Sequence, residues 1–320
     1  MALYTIDQLT TLVNKAVENL SMPATPVKLY DPIRYVLAVG GKRIRPVLML
    51  MAYNLYKDTP EDILPQAVAL ETYHNFTLLH DDLIDKSDVR RGHPTVHKRW
   101  DENTAILSGD TMLMLAYKTF GSNIAFSDFT DATMGVWDGE QLDMDFEQRL
   151  DVTEAEYMEM IRLKTSLLLA YALKIGAKLA GAPAEDQQYL YDFGEKMGLA
   201  FQVQDDLLDV YADTALFQKK LGGDIVENKK TYLLIQALNH ANPQQKAELE
   251  TWLSKTDADP DEKIAAITHI YNSIGIPALT QQCIETLFAE SLKSLEQVNL
   301  PETRKAALRT FAQKLLGRKY

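Results

Sequence analysis

A chain of 320 residues, 46% hydrophobic and 24% charged, has an ordinary globular composition and is long enough to bury a large core. Its formal net charge of -12 argues against general binding to the nucleic-acid backbone, which depends on a basic surface. The single cysteine, Cys283, excludes an intrachain disulfide and a four-thiolate zinc site.

No Pro/Gly/Ser-rich linker divides the sequence, so residues 1–320 read as one domain. The start, MALYTIDQLTTLVNK, carries acidic and polar residues inside its apolar pattern, unlike a signal peptide. The run LLLAYALKIGAKLAG is broken by Lys174 and Lys178, short of the roughly 18 to 20 apolar residues that span a bilayer. The expectation is a soluble cytoplasmic protein without stable membrane insertion.

Apolar residues recur every three to four positions in nearly every long segment, and no stretch alternates as a strand. The spacing predicts helices over 5–21, 27–38, 43–56, 60–86, 103–121, 128–149, 153–181, 184–213, 228–240, 243–255, 258–274, 276–296 and 301–317. That pattern is an all-α helical bundle, and bundles can build metal sites from facing helices. Gly40-Gly41 interrupts the apolar pattern before Lys42-Arg43-Ile44-Arg45-Pro46. Thr59 is expected to cap the helix beginning at Pro60, while Pro65 calls for a later start or a kink. Residues 86–100, with Gly92 and Pro94, read as a loop; 215–230, with Gly222-Gly223, read as a mobile segment near the second of two acidic clusters.

The first cluster lies in ETYHNFTLLHDDLIDKSDVRR (71–91), where Asp81, Asp82 and Asp85 end an apolar helical pattern and Arg90 and Arg91 follow. Residues four apart share a helix face, so Asp81 and Asp85 project together while Asp82 points about 100° away. Alone, such a DDxxD fits a solvated surface helix as well as a metal site. FQVQDDLLD (201–209) repeats it with Asp205, Asp206 and Asp209. Carboxylates on apolar helices repel one another and lose hydration unless a cation offsets their charge. Two such clusters point to magnesium, which takes oxygen ligands and bridges carboxylates to substrate phosphates. Lys42, Arg43 and Arg45 suit a diphosphate clamp or a solvated basic turn. His74, seven residues before Asp81, shares its helix face.

In GGKRIRP (40–46), HDDLIDKSDVRRG (80–92), KT (164–165), FQVQDDLLD (201–209) and KKLGGDIVENKKTYL (219–233), the chain resembles the trans-type prenyl diphosphate synthases over almost its whole length. Among these it is similar to short-chain farnesyl and geranylgeranyl diphosphate synthases. The resemblance implies an all-helical fold of the isoprenoid synthase type, two Asp-rich motifs facing a deep central cavity, and a homodimer. It also implies condensation of isopentenyl diphosphate with an allylic diphosphate by magnesium-assisted ionisation, with three ions expected once diphosphate is bound.

Carried to this sequence, the resemblance makes Asp81, Asp85 and Asp205 principal magnesium ligands, with Asp82 and Asp209 in support. Lys42, Arg45, His74 and Arg91 would hold the diphosphate of isopentenyl diphosphate; Arg90, Lys164, Lys219 and Lys229 would hold the allylic diphosphate. Thr165 and Gln202 would lie beside the reacting carbons. Phe76 and Tyr73, five and eight residues before Asp81, would floor the cavity and limit the product to fifteen or twenty carbons. The chain departs from the family pattern at Gly139-Glu140-Gln141, where Gly-Gln is usual, and at Gln218-Lys219-Lys220, where either lysine suits phosphate. Arg318-Lys319 reads equally as a closing basic tail or a frayed end.

Three rival readings fit less of the sequence. A class I terpene cyclase normally replaces the second Asp-rich motif and has no use for Lys42, Arg45 and His74. A His-Asp phosphohydrolase needs further metal-binding histidines, and a non-catalytic regulatory subunit typically loses the Asp-rich motifs.

Overall fold

Local signals set most helix boundaries. In the computed structural model, which describes residues 3–212 and 221–317, Thr5 and Gln8 form a capping box that opens α1 (Ile6–Glu18). α2 (Val27–Ala38) and α3 (Ile44–Asn54) follow, the latter behind Arg43 in a left-handed conformation, φ 49°. Pro65 does delay the next helix: Pro60–Ile63 is a 3-10 turn, and α4 (Leu64–Ile84) carries Pro65 in its first turn. Thr59 stands at the N-cap of that turn but makes no side-chain cap; its hydroxyl donates to Asp62 Oδ2 at 2.6 Å instead of accepting a backbone N–H.

Strands too short to alternate occur inside the expected loop over 86–100. β1 (Val89–Arg90) pairs antiparallel with β2 (His93–Pro94), and the turn is closed by Arg91 and Gly92, both at positive φ, as a tight hairpin requires. α5 (Val96–Arg99) completes the segment. Asp101 caps α6 (Glu102–Phe120) through the Thr104 amide, and α7 spans Phe126–Glu147.

The single helix expected over 153–181 is divided. α8 (Glu154–Ile161) runs into a π turn at Arg162–Ser166, and α9 (Leu167–Leu179) resumes beyond it. α10 (Ala184–Tyr211), α11 (Gly223–Val226), α12 (Tyr232–His240) and α13 (Pro243–Ser254) come next. α14 (Pro260–Ile274), α15 (Ile276–Gln297) and α16 (Glu302–Leu316) end the described chain. α12 starts at Tyr232 rather than 228, because Thr231 caps it and Asn228 is left-handed at φ 57°. The mobile segment expected over 215–230 lies outside the described residues as far as 220 and includes α11 beyond them. The fold is all-α, as the apolar spacing predicts.

The residues form two compact units: Met1–Thr133, Tyr171–Leu190 and Asn299–Leu308 in the first; Met134–Ala170, Tyr191–Val298 and Arg309–Tyr320 in the second. In the first, α4 packs on α3 and α6, and Tyr73, Phe120 and Phe129 are fully buried. Gly176 lets α9 meet α3 closely, since a Cβ there would sit 2.1 Å from the Met49 carbonyl oxygen. The core of the second unit gathers Tyr157, Leu233, Leu249, Ile267, Tyr271 and Ile276 from five helices.

Arg43 and Glu71 form an ion pair at 2.6 Å with both side chains under 5% exposed. Arg43 also donates to Asn14 Oδ1 and the Leu37 carbonyl, and Glu71 accepts from Asn75 Nδ2. Removing one partner of such a pair strands a charge at a cost of about 3–5 kcal/mol. Glu71→Gln is expected to reduce unfolding free energy by that order in a denaturant titration; an unshifted midpoint would show that the fold does not depend on the pair.

Candidate active site

In the first unit the last turn of α4 presents Asp81, Asp82 and Asp85. Asp81 is partly exposed, whereas Asp82 is buried. Arg90, delivered by β1, donates from Nε to Asp82 Oδ1 at 2.8 Å and brings its Nη2 within 3.7 Å of Asp81. Burial raises the Asp82 carboxyl above its ordinary pKa, and Arg90 opposes that rise. The hairpin thus carries a cation to the acidic helix end.

The same unit contains a cleft of about 410 Å³ lined by Lys42, Arg45, His74 and Arg91, together with Gly41 and Glu71. These are the four residues expected on one diphosphate. Arg45 Nη1 donates to His74 Nε2 at 3.0 Å; a guanidinium has no acceptor, so that ring nitrogen accepts and the proton sits on Nδ1. Burial, with Arg45, Arg91, Arg90 and Arg43 nearby, holds His74 well below its ordinary pKa, so it is neutral at pH 7. Burial also lowers Arg45 to about 10, and its buried Nε has no hydrogen-bond partner. An anion in the cleft would relieve both effects. Arg91 donates to the Gly40 carbonyl, and a Cβ on Gly41 would lie 2.8 Å from the Arg91 guanidinium. The diglycine therefore admits Arg91 into the cleft. Arg43, grouped by sequence with Lys42 and Arg45 as a clamp, also lines the cleft, but its charge is paired with Glu71.

Phe76 and Tyr73 are buried on α4 with ring centroids 5.7 Å apart. Tyr73 donates to the Thr133 carbonyl at 2.8 Å and packs against Phe129, so an aromatic layer lies before the acidic turn in the chain.

In the second unit the π turn carries Lys164 and Thr165. π turns widen a helix locally and recur at functional sites. Two glycines make room for this one: a Cβ on Gly139 would lie 2.4 Å from the Lys164 amide nitrogen, and one on Gly198 would lie 2.7 Å from Ser166 Cα. Lys164 pairs with Glu140 at 2.9 Å and Asp143 at 2.6 Å, which gives Glu140 a partner. Thr165 donates to Gln202 Oε1 at 3.0 Å, and Gln202 Nε2 donates to Asp206 Oδ1 at 3.1 Å.

Asp206 also accepts from the Tyr157 hydroxyl at 2.6 Å and the Tyr232 amide at 3.0 Å. Burial pushes it up to about 6 against those bonds. It is an anchor of the unit. Its neighbours Asp205 and Asp209 are partly exposed. Asp209 Oδ2 accepts the Asp224 amide at 3.1 Å, and burial followed by Asp209 and Asp206 pushes the Asp224 carboxyl up to about 7. Lys229 lies beyond this turn, 3.3 Å from Glu227. Lys219 and the Arg318-Lys319 pair lie outside the described residues.

These donors fit magnesium. They are hard carboxylate oxygens on side chains that solvent reaches, and the described residues contain no ready-made cage of three or more His, Cys, Asp or Glu. Magnesium is commonly held by one or two carboxylates and completed by substrate phosphates and water.

The family model described as Polyprenyl synthetase matches residues 26–270. The chain belongs to that family. A geranylgeranyl diphosphate synthase of Methanosarcina mazei is 40% identical over 237 residues, 70% of this chain and 72% of the relative. A geranylfarnesyl diphosphate synthase of Natronomonas pharaonis is 36% identical over 281 residues, 80% and 81% of the two chains. A crystal structure of a geranylgeranyl pyrophosphate synthase aligns with TM-score 0.93 and 40% identity over 99% of this chain and 100% of that one. The chain accordingly has the isoprenoid synthase fold and is a trans-prenyltransferase, as the motif resemblance implied.

Sequence reasoning missed the π turn, the anchoring role of Asp206 and the turn that binds Asp209. The isolated glycines at 139 and 198 were the available signal for the first. Asp81→Ala and Asp205→Ala are each expected to cut turnover by about 10³-fold with circular dichroism and melting unchanged, since the motif resemblance assigns each to magnesium. Asp206→Ala should instead destabilise the fold, because it leaves buried donors unsatisfied. Equal melting shifts in all three would contradict this division of roles.

Proposed function

We propose that the protein condenses isopentenyl diphosphate with an allylic diphosphate and releases farnesyl or geranylgeranyl diphosphate. The observation that carries this reading is the pair of unlike addresses within the first unit, a cation-lined cleft at Lys42, Arg45, His74 and Arg91 and a carboxylate-rich helix end at Asp81 and Asp85. Two diphosphates need two addresses. An enzyme that only cyclises or hydrolyses one allylic diphosphate has no use for the first.

In this reading both Asp-rich helices serve one reaction, with Asp81, Asp85 and Asp205 as principal ligands and Asp82 and Asp209 in support. Magnesium, three ions being expected, supplies neutralisation of the charge on the departing pyrophosphate. Arg90, Lys164, Lys219 and Lys229 add cationic donors to that diphosphate and favour breaking its carbon–oxygen bond. Thr165 and Gln202, hydrogen-bonded to one another, offer oxygen dipoles to the developing allylic cation. Isopentenyl diphosphate attacks the allylic carbon through its double bond, and the released pyrophosphate accepts the proton lost afterwards. Apolar helix faces exclude the water that would trap the cation as an alcohol.

Phe76, with Tyr73 beneath it, limits growth of the chain in this proposal. Residues 1–320 act as one catalytic domain, as a homodimer in the cytoplasm. Exposed Ile106, Leu107 and Met114 on α6 support the dimer, because apolar side chains clustered on a helix favour a covering partner. No helix of the described residues is long and apolar enough to cross a membrane.

Labelled isopentenyl diphosphate incubated with allylic starters of five, ten and fifteen carbons tests the reading. The purified chain is expected to yield products of fifteen or twenty carbons with magnesium and none with chelator. Phe76→Ala, and more so with Tyr73→Ala, should lengthen them. Free phosphate or cyclic hydrocarbon as the main product would refute the assignment, and an unshifted length distribution in the variants would remove both aromatics from the ruler.

A further inference from the structure

The segment that carries Lys229 is held from below by two buried ammonium groups. Lys263 on α14, 4% exposed, donates from Nζ to the Val226 carbonyl at 3.0 Å and to Asn228 Oδ1 at 2.7 Å. Lys230, 9% exposed, donates to the Asn228 and Glu147 carbonyls, each at 3.0 Å. Asn228 Nδ2 in turn donates to the Leu253 carbonyl on α13 at 3.1 Å. One residue is thereby tied to α13, α14 and, through Lys230, the end of α7.

Burying an ammonium is unfavourable, and desolvation lowers the pKa of both lysines. A methionine of similar length would avoid that cost at either position. Asn228 is also one of the non-glycine residues held at positive φ, a conformation that persists only where surrounding contacts enforce it. That left-handed residue reverses the chain immediately before Lys229 and lets the Lys229 amide donate to the Asp224 carbonyl at 3.0 Å, beside Asp209. The four residues of α11 are too few to hold this direction by themselves.

We propose that Asn228, braced by Lys263 and Lys230, is a positioning residue that aims Lys229 at the allylic diphosphate. The proposal rests on the assignment of Lys229 made above. Neither Asn228 nor Lys263 contacts substrate; both act through the direction they impose on the neighbouring side chain.

Steady-state KM values for the allylic diphosphate and for isopentenyl diphosphate, measured with magnesium on the full chain, test it in Lys263→Met, Asn228→Gly, their double variant and Lys229→Ala. Glycine keeps the left-handed backbone and removes only the side-chain ties. Each single variant is expected to raise the allylic KM about tenfold, the size of a small misplacement of a binding group, and to leave the isopentenyl KM within about twofold. The double variant should fall short of the product of the two single effects, since both substitutions cut the Lys263–Asn228 bond. If Lys229→Ala raises the allylic KM and Asn228→Gly does not, the positioning role is overturned. A parallel rise in both KM values would reduce the brace to a structural support and overturn it too. An unchanged allylic KM in Lys229→Ala would instead remove the Lys229 assignment, and the proposal with it. Should Lys263→Met fail to fold, Asn228→Gly decides.

Discussion

Carboxylates gathered on apolar helices cannot all remain charged without compensation, and the local structure of this polyprenyl synthetase follows from how that demand is met. Asp82 is met by Arg90 from the hairpin, and Asp206 by a tyrosine hydroxyl, a glutamine amide and a backbone amide. Both are buried and already engaged by protein donors. Asp81, Asp205 and Asp209 are partly exposed and Asp85 is exposed at the helix end, where divalent cations and phosphate can reach them. The middle aspartate of each DDxxD is therefore the buried one, and its neighbours are the more exposed.

Irregular backbone collects around the same residues. The π turn at Arg162–Ser166 carries Lys164 and Thr165, and the hairpin turn at Arg91 and Gly92 directs Arg90 and Arg91. Among the described residues the non-glycine positions at positive φ are Arg43, Lys86, Arg91 and Asn228, and each adjoins or is a residue assigned to metal or diphosphate. Such conformations need enforcing contacts. Here these include the Arg43–Glu71 pair, the Arg91–Gly40 bond and the lysines under Asn228.

The all-α class, the order of helices and both acidic motifs were legible because apolar spacing and DDxxD are local patterns. The helix at 60–86 is instructive: Pro65 signalled the late start correctly, while Thr59 misled because its hydroxyl found Asp62 first. Arg43 and Arg45 look alike in a basic run, yet a residue two positions on points to a different side of a helix start. Only tertiary packing reveals that one is ion-paired to Glu71 while the other keeps an unpartnered Nε beside His74. The π turn was hidden for a similar reason. The room it needs is left by Gly139 and Gly198, far from it in sequence.

As proposed above, Asp81 on α4 and Asp205 on α10 each serve, through magnesium, the departing diphosphate. Calorimetric titration of inorganic pyrophosphate into the protein, with and without magnesium, addresses it in wild type, Asp81→Asn, Asp205→Asn and the double variant. Binding is expected to require magnesium, to be weakened by either substitution, and to be weakened little further by the second, because the effects of residues acting on one ligand are not additive. Magnesium-dependent binding of wild-type strength in both single variants, or losses that add in full, would contradict it.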